Sequence, residues 1–215
     1  MFSGIEDRVV DIIERFGYAG IALLIALETV FPPLPSEIIL PLGGFTASRG
    51  DLTLWGVMLA ATLGSVVGAL ILYGVGRWFG QERLYWLVDR YGRYVMLKQS
   101  DIDKANSWFE RYSGKAVIIG RLVPVVRSLV SIPAGLTKMP LPIFIVYTAL
   151  GSAAWNGILV GSGYLLGDNW EEVEEYVGYF QYAVILAAIA LVGWFVWSRM
   201  RGRKTQAAER SAGRR

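Results

Sequence analysis

Five charged residues stand in or beside apolar stretches that prolines and glycines interrupt: Glu28, Glu37, Asp51, Arg121 and Arg127. Arginine stays charged and presents a planar fork of donors that fits a phosphate group. A carboxylate in a medium of low dielectric constant can carry a proton or pair with an arginine. We therefore expect the two arginines, helped by nearby helix N-termini, to bind an anionic lipid headgroup. Glu37 and Asp51 would then handle protons or pair alternately with those arginines.

An ordinary structural role stays open for each of these residues. Glu37 could cap a helix, Asp51 could belong to a surface loop, and Glu28 could be a hydrogen-bond partner that touches no ligand. Arg121 could extend its side chain to the membrane surface. Arg127 is the hardest to explain in this way, because it lies between two prolines in an apolar run.

The two arginines belong to the stretch Gly120–Pro142, which is apolar but is not composed like a simple transmembrane helix. Pro124 and Pro133 each remove a backbone donor, and Gly135 follows. Arg127 at the lipid-facing centre of a helix would cost roughly 3 kcal/mol. Broken backbone at membrane depth is tolerated only where it packs in protein or lines a wet cavity. The stretch predicts a re-entrant loop that holds two positive charges inside a membrane protein.

A second broken stretch, residues 31–51, carries the first acids. Its interruptions are Pro32, Pro33, Pro35, Pro41, Gly43 and Gly44. Ser36 and Glu37 resemble a helix start, with Ser36 as the N-cap and the acid in the first turn. We expect a half-helix that begins there and turns back at Pro41–Gly44, which makes a second re-entrant segment.

The composition is that of a polytopic membrane protein. The chain has 215 residues, of which 54% are apolar and 18% charged, whereas soluble domains average roughly 25% charged residues. It has no cysteine and no histidine, which excludes thiol catalysis, disulfides and histidine-based catalysis and removes most zinc sites. We expect no cofactor and no enzymatic activity.

Three stretches are long and apolar enough to span a bilayer: Thr53–Phe79, Ile143–Leu166 and Val177–Trp197. Gly17–Val30 is apolar but short. The segment before it places Ile5, Val9, Ile12 and Phe16 at helical spacing, which indicates an amphipathic helix on the membrane surface or against a partner. Residues 82–115 mix charges with apolar positions and predict interfacial helices.

The charged segments predict the orientation. Residues 199–215 form a basic tail and residues 168–175 contain acids without Lys or Arg, so the tail should be cytoplasmic and the acidic segment outside. Counting spans back places both termini in the cytoplasm of a multi-pass protein of the plasma (inner) membrane. The broken stretches then approach each other from opposite faces.

The glycines repeat at a fixed distance. Gly64, Ser65, Gly74, Gly76 and Gly80 recur as Gly151, Ser152, Gly161, Gly163 and Gly167, and Pro41-x-Gly43 answers Pro133-x-Gly135. The repeat halves are residues 17–80 and 114–167. They predict an all-α inverted repeat within one membrane domain, residues 1–167, followed by a loop and final span (168–198) and the tail (199–215). Secondary transporters use such repeats to place a site near the bilayer midplane.

The motifs F-P-P-x-P-S-E in the first half, and R-x-x-P-x-x-R followed by P-A-G in the second, resemble the DedA family of integral membrane proteins, also called the VTT or SNARE-associated Golgi domain. The resemblance covers Gly17–Gly167. It implies paired re-entrant loops, kinship with lipid scramblases and flippases, and a role in envelope homeostasis that depends on proton motive force. Undecaprenyl phosphate or a phospholipid is the implied substrate. The family's functional acids match Glu37 and Asp51, its functional arginines match Arg121 and Arg127, and Glu28 matches the acid of its E-x-x-x-P-P stretch.

Lipid transport is thus the leading hypothesis. A membrane scaffold that does not transport, and an intramembrane enzyme, are the alternatives. A nucleic-acid partner is not expected, whereas the lipid transported, the coupling to protons and the oligomeric state are left open.

Overall fold

The computed structural model describes residues 3–31, 36–95 and 99–166, and this part of the chain is helical without any strand. Its helices are α1 (Ser3–Val30), α2 (Ser36–Ser48), α3 (Leu54–Val95), α4 (Gln99–Arg121), α5 (Pro124–Leu129), α6 (Ser131–Leu136) and α7 (Leu141–Leu166). The predicted breaks at Pro33 and Pro35, the acidic segment, the final span and the basic tail lie outside the described residues.

Among the described helices, α3 and α7 are long and apolar enough to cross a membrane, as the sequence predicted. Large apolar side chains recur at every fourth position of α3, each at least 49% exposed: Trp55, Leu59, Leu63, Val67, Ile71 and Val75. An exposed apolar stripe of this length indicates contact with lipid or with another protein chain.

Two glycines divide the first and third helices. Gly17 has φ 55° and ψ −130°, and Gly80 has φ 71° and ψ 163°; a residue with a Cβ would be strained at either position. The amphipathic start of α1 therefore ends where the apolar part begins, as predicted. Its buried face consists of Val9 and Ile13, whereas Phe16, expected on that face, is 63% exposed.

The turn expected at Pro41–Gly44 does not form. Helix α2 runs from Ser36 to Ser48 with Pro41 inside it, so the prediction of breaks at Pro41 and Gly43 is wrong. The glycines serve close packing instead: a Cβ at Gly44 would lie 2.1 Å from the Val160 carbonyl oxygen, and one at Gly43 would lie 3.1 Å from Val57 Cγ1. Tight contact with α7 and α3, rather than chain reversal, explains these residues.

The second broken stretch is interrupted, but not at every residue predicted. The backbone breaks at extended Val123, and Pro124 begins α5. Pro133 and Gly135 lie inside the short helix α6, so they are not the breaks they were predicted to be. Pro133 falls in the first turn of α6, where the missing donor removes no intrahelical bond.

Helix α6 ends in a Schellman motif. The Met139 N–H donates to the Ala134 carbonyl and the Lys138 N–H to the Gly135 carbonyl, each at 3.0 Å. Lys138 has φ 53°, the left-handed conformation that glycine usually supplies at this position.

The short helix of each half packs against the long helix of the other half. A Cβ at Gly163 of α7 would lie 2.0 Å from the Pro41 carbonyl oxygen, and one at Gly76 of α3 would lie 2.3 Å from that of Ile132. Likewise a Cβ at Gly135 would lie 2.1 Å from the Tyr73 carbonyl oxygen, the counterpart of the contact of Gly44 with α7. The packing thus pairs Gly44, rather than Gly43, with Gly135.

Candidate functional site

The site is built where helix ends meet. Glu28 lies in the last turn of α1, Glu37 in the first turn of α2, and Arg121 is the last residue of α4. Arg127 lies on α5, which follows directly after the break at Val123. Because α4 stops at Arg121 and the chain restarts at Pro124, two arginines are presented from two separate helices.

The centre of the site is an ion pair between Arg127 Nη2 and Glu28 Oε1. The side chains are only 8% and 7% exposed, respectively. A buried charge is strongly penalised unless it is paired. Each of these two side chains can therefore be buried because the opposite charge lies beside it.

Arg121 lies in the same electrostatic neighbourhood, since its charge acts on both Glu28 and Arg127. Its Nη2 donates a hydrogen bond of 2.7 Å to Ser131 Oγ, the first residue of α6. The arginine stem packs against Gly151 of α7, where a Cβ would lie 2.8 Å from Arg121 Cβ. The glycine therefore makes the room that lets an arginine lie buried between α4 and α7.

The acids of the site are not equivalent. The charge of Glu37 acts on Glu28, and the Glu37 side chain is half-buried at the start of α2. Asp51 is exposed in the loop between α2 and α3, and within the described residues it forms no ion pair with either arginine. The structure therefore brings together Glu28, Glu37, Arg121 and Arg127, and leaves Asp51 outside this cluster.

Several polar atoms at the site have no hydrogen-bond partner although they are buried: Glu28 Oε2, Arg121 Nε and Ser36 Oγ. Ser36, predicted as an N-cap, is the first residue of α2 and its hydroxyl makes no capping bond in the described structure. Leaving a buried polar group unpaired costs about 1–3 kcal/mol. Donors and acceptors of this kind can bind a polar ligand or water.

Sequence reasoning missed Ser131 and Gly151 as parts of the site. Ser131 lies one helical turn after Arg127, the last residue of the predicted arginine motif, and its small polar side chain in an apolar stretch was the available signal. Gly151 was recognised only as a member of the glycine repeat, because its contact with Arg121 depends on how α7 packs.

The comparisons with known proteins agree with this architecture. The model of the VTT domain matches residues 34–165, which include α2 and the whole of the arginine-bearing stretch. The chain belongs to the VTT-domain (DedA) family. It is accordingly a membrane protein.

Relatives of this VTT-domain chain carry two kinds of name. A protein of Lactococcus lactis named "Alkaline phosphatase-like protein" is 43% identical over 91% of this chain and 93% of its own length. A protein of Staphylococcus aureus named "Undecaprenyl phosphate transporter A" is 41% identical over 77% and 81%, respectively. "Protein DedA" of Escherichia coli is 28% identical over 76% of each chain. No solved structure matches significantly.

Proposed function

We propose that this VTT-domain protein moves an anionic lipid phosphate, either undecaprenyl phosphate or a phospholipid, across the plasma membrane for envelope maintenance. The observation that carries the proposal is the pair of buried arginines at converging helix ends, with Arg121 Nε unpartnered. A phosphate group would supply the missing acceptor and match the arginine fork. The transporter names of relatives point to the same substrate class.

The mechanism follows from the charge balance of the site. The charges of Arg127, Arg121 and Glu37 all act on Glu28, and Glu28 is paired with Arg127, so an arriving phosphate must compete with Glu28 for Arg127. Protonation of Glu28 would release Arg127 to the phosphate, and deprotonation would return Arg127 to Glu28 and expel the lipid. In this proposal Glu37 relays protons beside Glu28. Asp51 handles protons in the exposed loop between α2 and α3.

The same proposal includes the membrane arrangement. The halves 17–80 and 114–167 would form an inverted repeat, with α2 and the α5–α6 segment as re-entrant elements that enter from opposite faces and both termini in the cytoplasm. Two contacts support this view: Gly163 of the second half packs against Pro41 of the first, and Gly76 of the first half packs against Ile132 of the second. Equivalent contacts in two halves indicate equivalent packing.

The test is transport in liposomes. The purified chain should move fluorescent undecaprenyl phosphate or phosphatidylglycerol between leaflets, and Arg127→Ala should abolish movement. Arg49→Ala is the matched control, because Arg49 is exposed and stacks on Phe45 at 4.3 Å, away from the buried cluster. Equal movement by the native chain and Arg127→Ala would refute the assignment of this site.

The same assay separates the alternatives. Release of phosphate from the labelled lipid, with no lipid relocated, would favour the enzyme that the name "Alkaline phosphatase-like protein" suggests for one relative. If neither labelled lipid is moved and neither yields a product, the result would favour a scaffold.

A further inference from the structure

A cavity lies apart from the buried ion pair, between the bend of α3 and the end of α6. Its volume is about 580 Å³, and its lining includes Arg77, Arg83 and Lys138 together with one carboxylate, Glu82. A cavity with three cations and one acid is electropositive. We propose that it is a separate binding site for the phosphate group of an anionic lipid.

The depth of the cavity suits a headgroup. The uncharged run of α3 from Leu54 to Val75 is roughly 33 Å long at 1.5 Å per residue, which matches a hydrocarbon core of about 30 Å. Arg77 and Trp78 follow directly, and Trp78 is 74% exposed. Tryptophan and long basic side chains are typical of the membrane–water interface, so the cavity opens at the level of lipid phosphates.

The two arginines of the cavity are held in place. Arg77 Nη1 donates to Tyr73 Oη at 3.2 Å, and Tyr73 Oη donates to the Met139 carbonyl at 2.6 Å. Arg83 donates one N–H to the Trp78 carbonyl and lies 4.7 Å above the Trp78 ring. Side chains fixed in this way lose less entropy when they bind a phosphate.

Lys138 gives an independent reason to regard the cavity as functional. It occupies the left-handed position that ends α6, with φ 53°, where glycine is the favoured residue. A lysine there is unfavourable for the backbone, but it adds a charge to the cavity. Residues held in sparsely populated conformations cluster at binding sites.

Helix α6 links the cavity to the buried Arg121. Ser131, which accepts the Arg121 hydrogen bond, is its first residue, and Leu136, in the cavity wall, is its last. The two ends are about 8 Å apart at 1.5 Å per residue. The inference goes beyond the proposed transport, since the cavity can bind a headgroup whether or not the lipid is later moved.

The test is binding of soluble probes to the full chain in a neutral detergent, measured by calorimetry. We expect dihexanoyl phosphatidic acid to bind, and Arg83→Gln or Lys138→Gly each to weaken its affinity about tenfold, as expected for loss of one charge-assisted contact. Glycine suits the left-handed backbone at position 138, so misfolding would not explain a loss of affinity in Lys138→Gly. Arg49→Gln, which removes one exposed cation elsewhere, should bind like the native chain.

Two further measurements test whether the phosphate belongs to a lipid or is free, and distinguish the cavity from the buried ion pair. Inorganic phosphate and dihexanoyl phosphatidylcholine should bind at least tenfold more weakly; equal affinity for inorganic phosphate would reassign the cavity to free phosphate and overturn the lipid assignment. The double variant Glu28→Gln/Arg127→Gln should retain the cavity's binding even if transport is lost. The proposal fails if that variant binds no probe, if Arg83→Gln and Lys138→Gly bind normally, or if Arg49→Gln loses as much affinity.

Discussion

Arg127 of α5 and Glu28 of α1 form an ion pair in which both side chains are buried. The two helices are separated in sequence by α2, α3 and α4, so the pair fixes a contact between the two halves of the chain. In the proposed mechanism it is also the pair that a phosphate must open. Its stability and its function can therefore be tested separately.

Removing one partner should destabilise the protein more than removing both. Arg127→Ala leaves Glu28 charged and buried, which should cost about 3–5 kcal/mol and lower the midpoint of thermal unfolding in detergent. Glu28→Gln/Arg127→Gln removes both charges of the pair together and should recover most of that loss. Transport should be absent from both variants, because neither has the arginine. Native transport by the double variant would show that Arg127 has only a structural role.

Glu28→Gln tests the proton hypothesis. The amide resembles the protonated acid in shape and cannot exchange a proton, so Arg127 stays available to the phosphate. We expect lipid movement in liposomes to slow, because residue 28 can no longer displace the lipid from Arg127, and to lose its response to an imposed pH gradient. Asp11→Asn, a change in an exposed pair on the start of α1, should keep the response. A Glu28→Gln protein that still responds to the gradient would exclude Glu28 as the proton carrier.

Much of the fold could be predicted from local sequence. The apolar segments Gly17–Val30 and Thr53–Phe79 were predicted, and glycines with positive φ lie where the first begins and the second ends, at Gly17 and Gly80. The spans of α3 and α7 follow from uninterrupted apolar runs. These features depend on the composition of a short segment, so a sequence suffices to find them.

The contacts between segments could not be predicted in this way. The sequence offered Glu37 and Asp51 as partners for the arginines, whereas packing brings Glu28 to Arg127 and leaves Asp51 exposed. Pro41 was expected to turn the chain, but α2 continues through it, and Gly44 and Gly43 let neighbouring helices approach. Both outcomes depend on which helices meet, and a single sequence does not state that.

The repeated glycines make a matched set for testing helix packing. A Cβ at Gly76 or Gly163 would lie 2.3 or 2.0 Å from a backbone oxygen, whereas one at Gly74 or Gly161 would meet nothing within 4 Å. Alanine at Gly76 or Gly163 should therefore lower the unfolding midpoint and separate α3 from α6 or α2 from α7. Alanine at Gly74 or Gly161 should raise it slightly, since alanine favours helix by about 1 kcal/mol. Equal effects in the four variants would contradict the described packing.

Cysteine labelling tests the proposed topology in a chain that has no native cysteine. Ser48 lies at the end of α2 and Ser107 on α4, and both are exposed, so Ser48→Cys and Ser107→Cys are conservative changes at accessible positions. A maleimide that cannot cross the membrane should label Ser48→Cys in intact cells, and Ser107→Cys only after the cells are opened. Labelling of the denatured proteins controls for expression. If both cysteines react in intact cells, the two positions lie on the same side of the membrane, and the inverted arrangement of the halves is wrong.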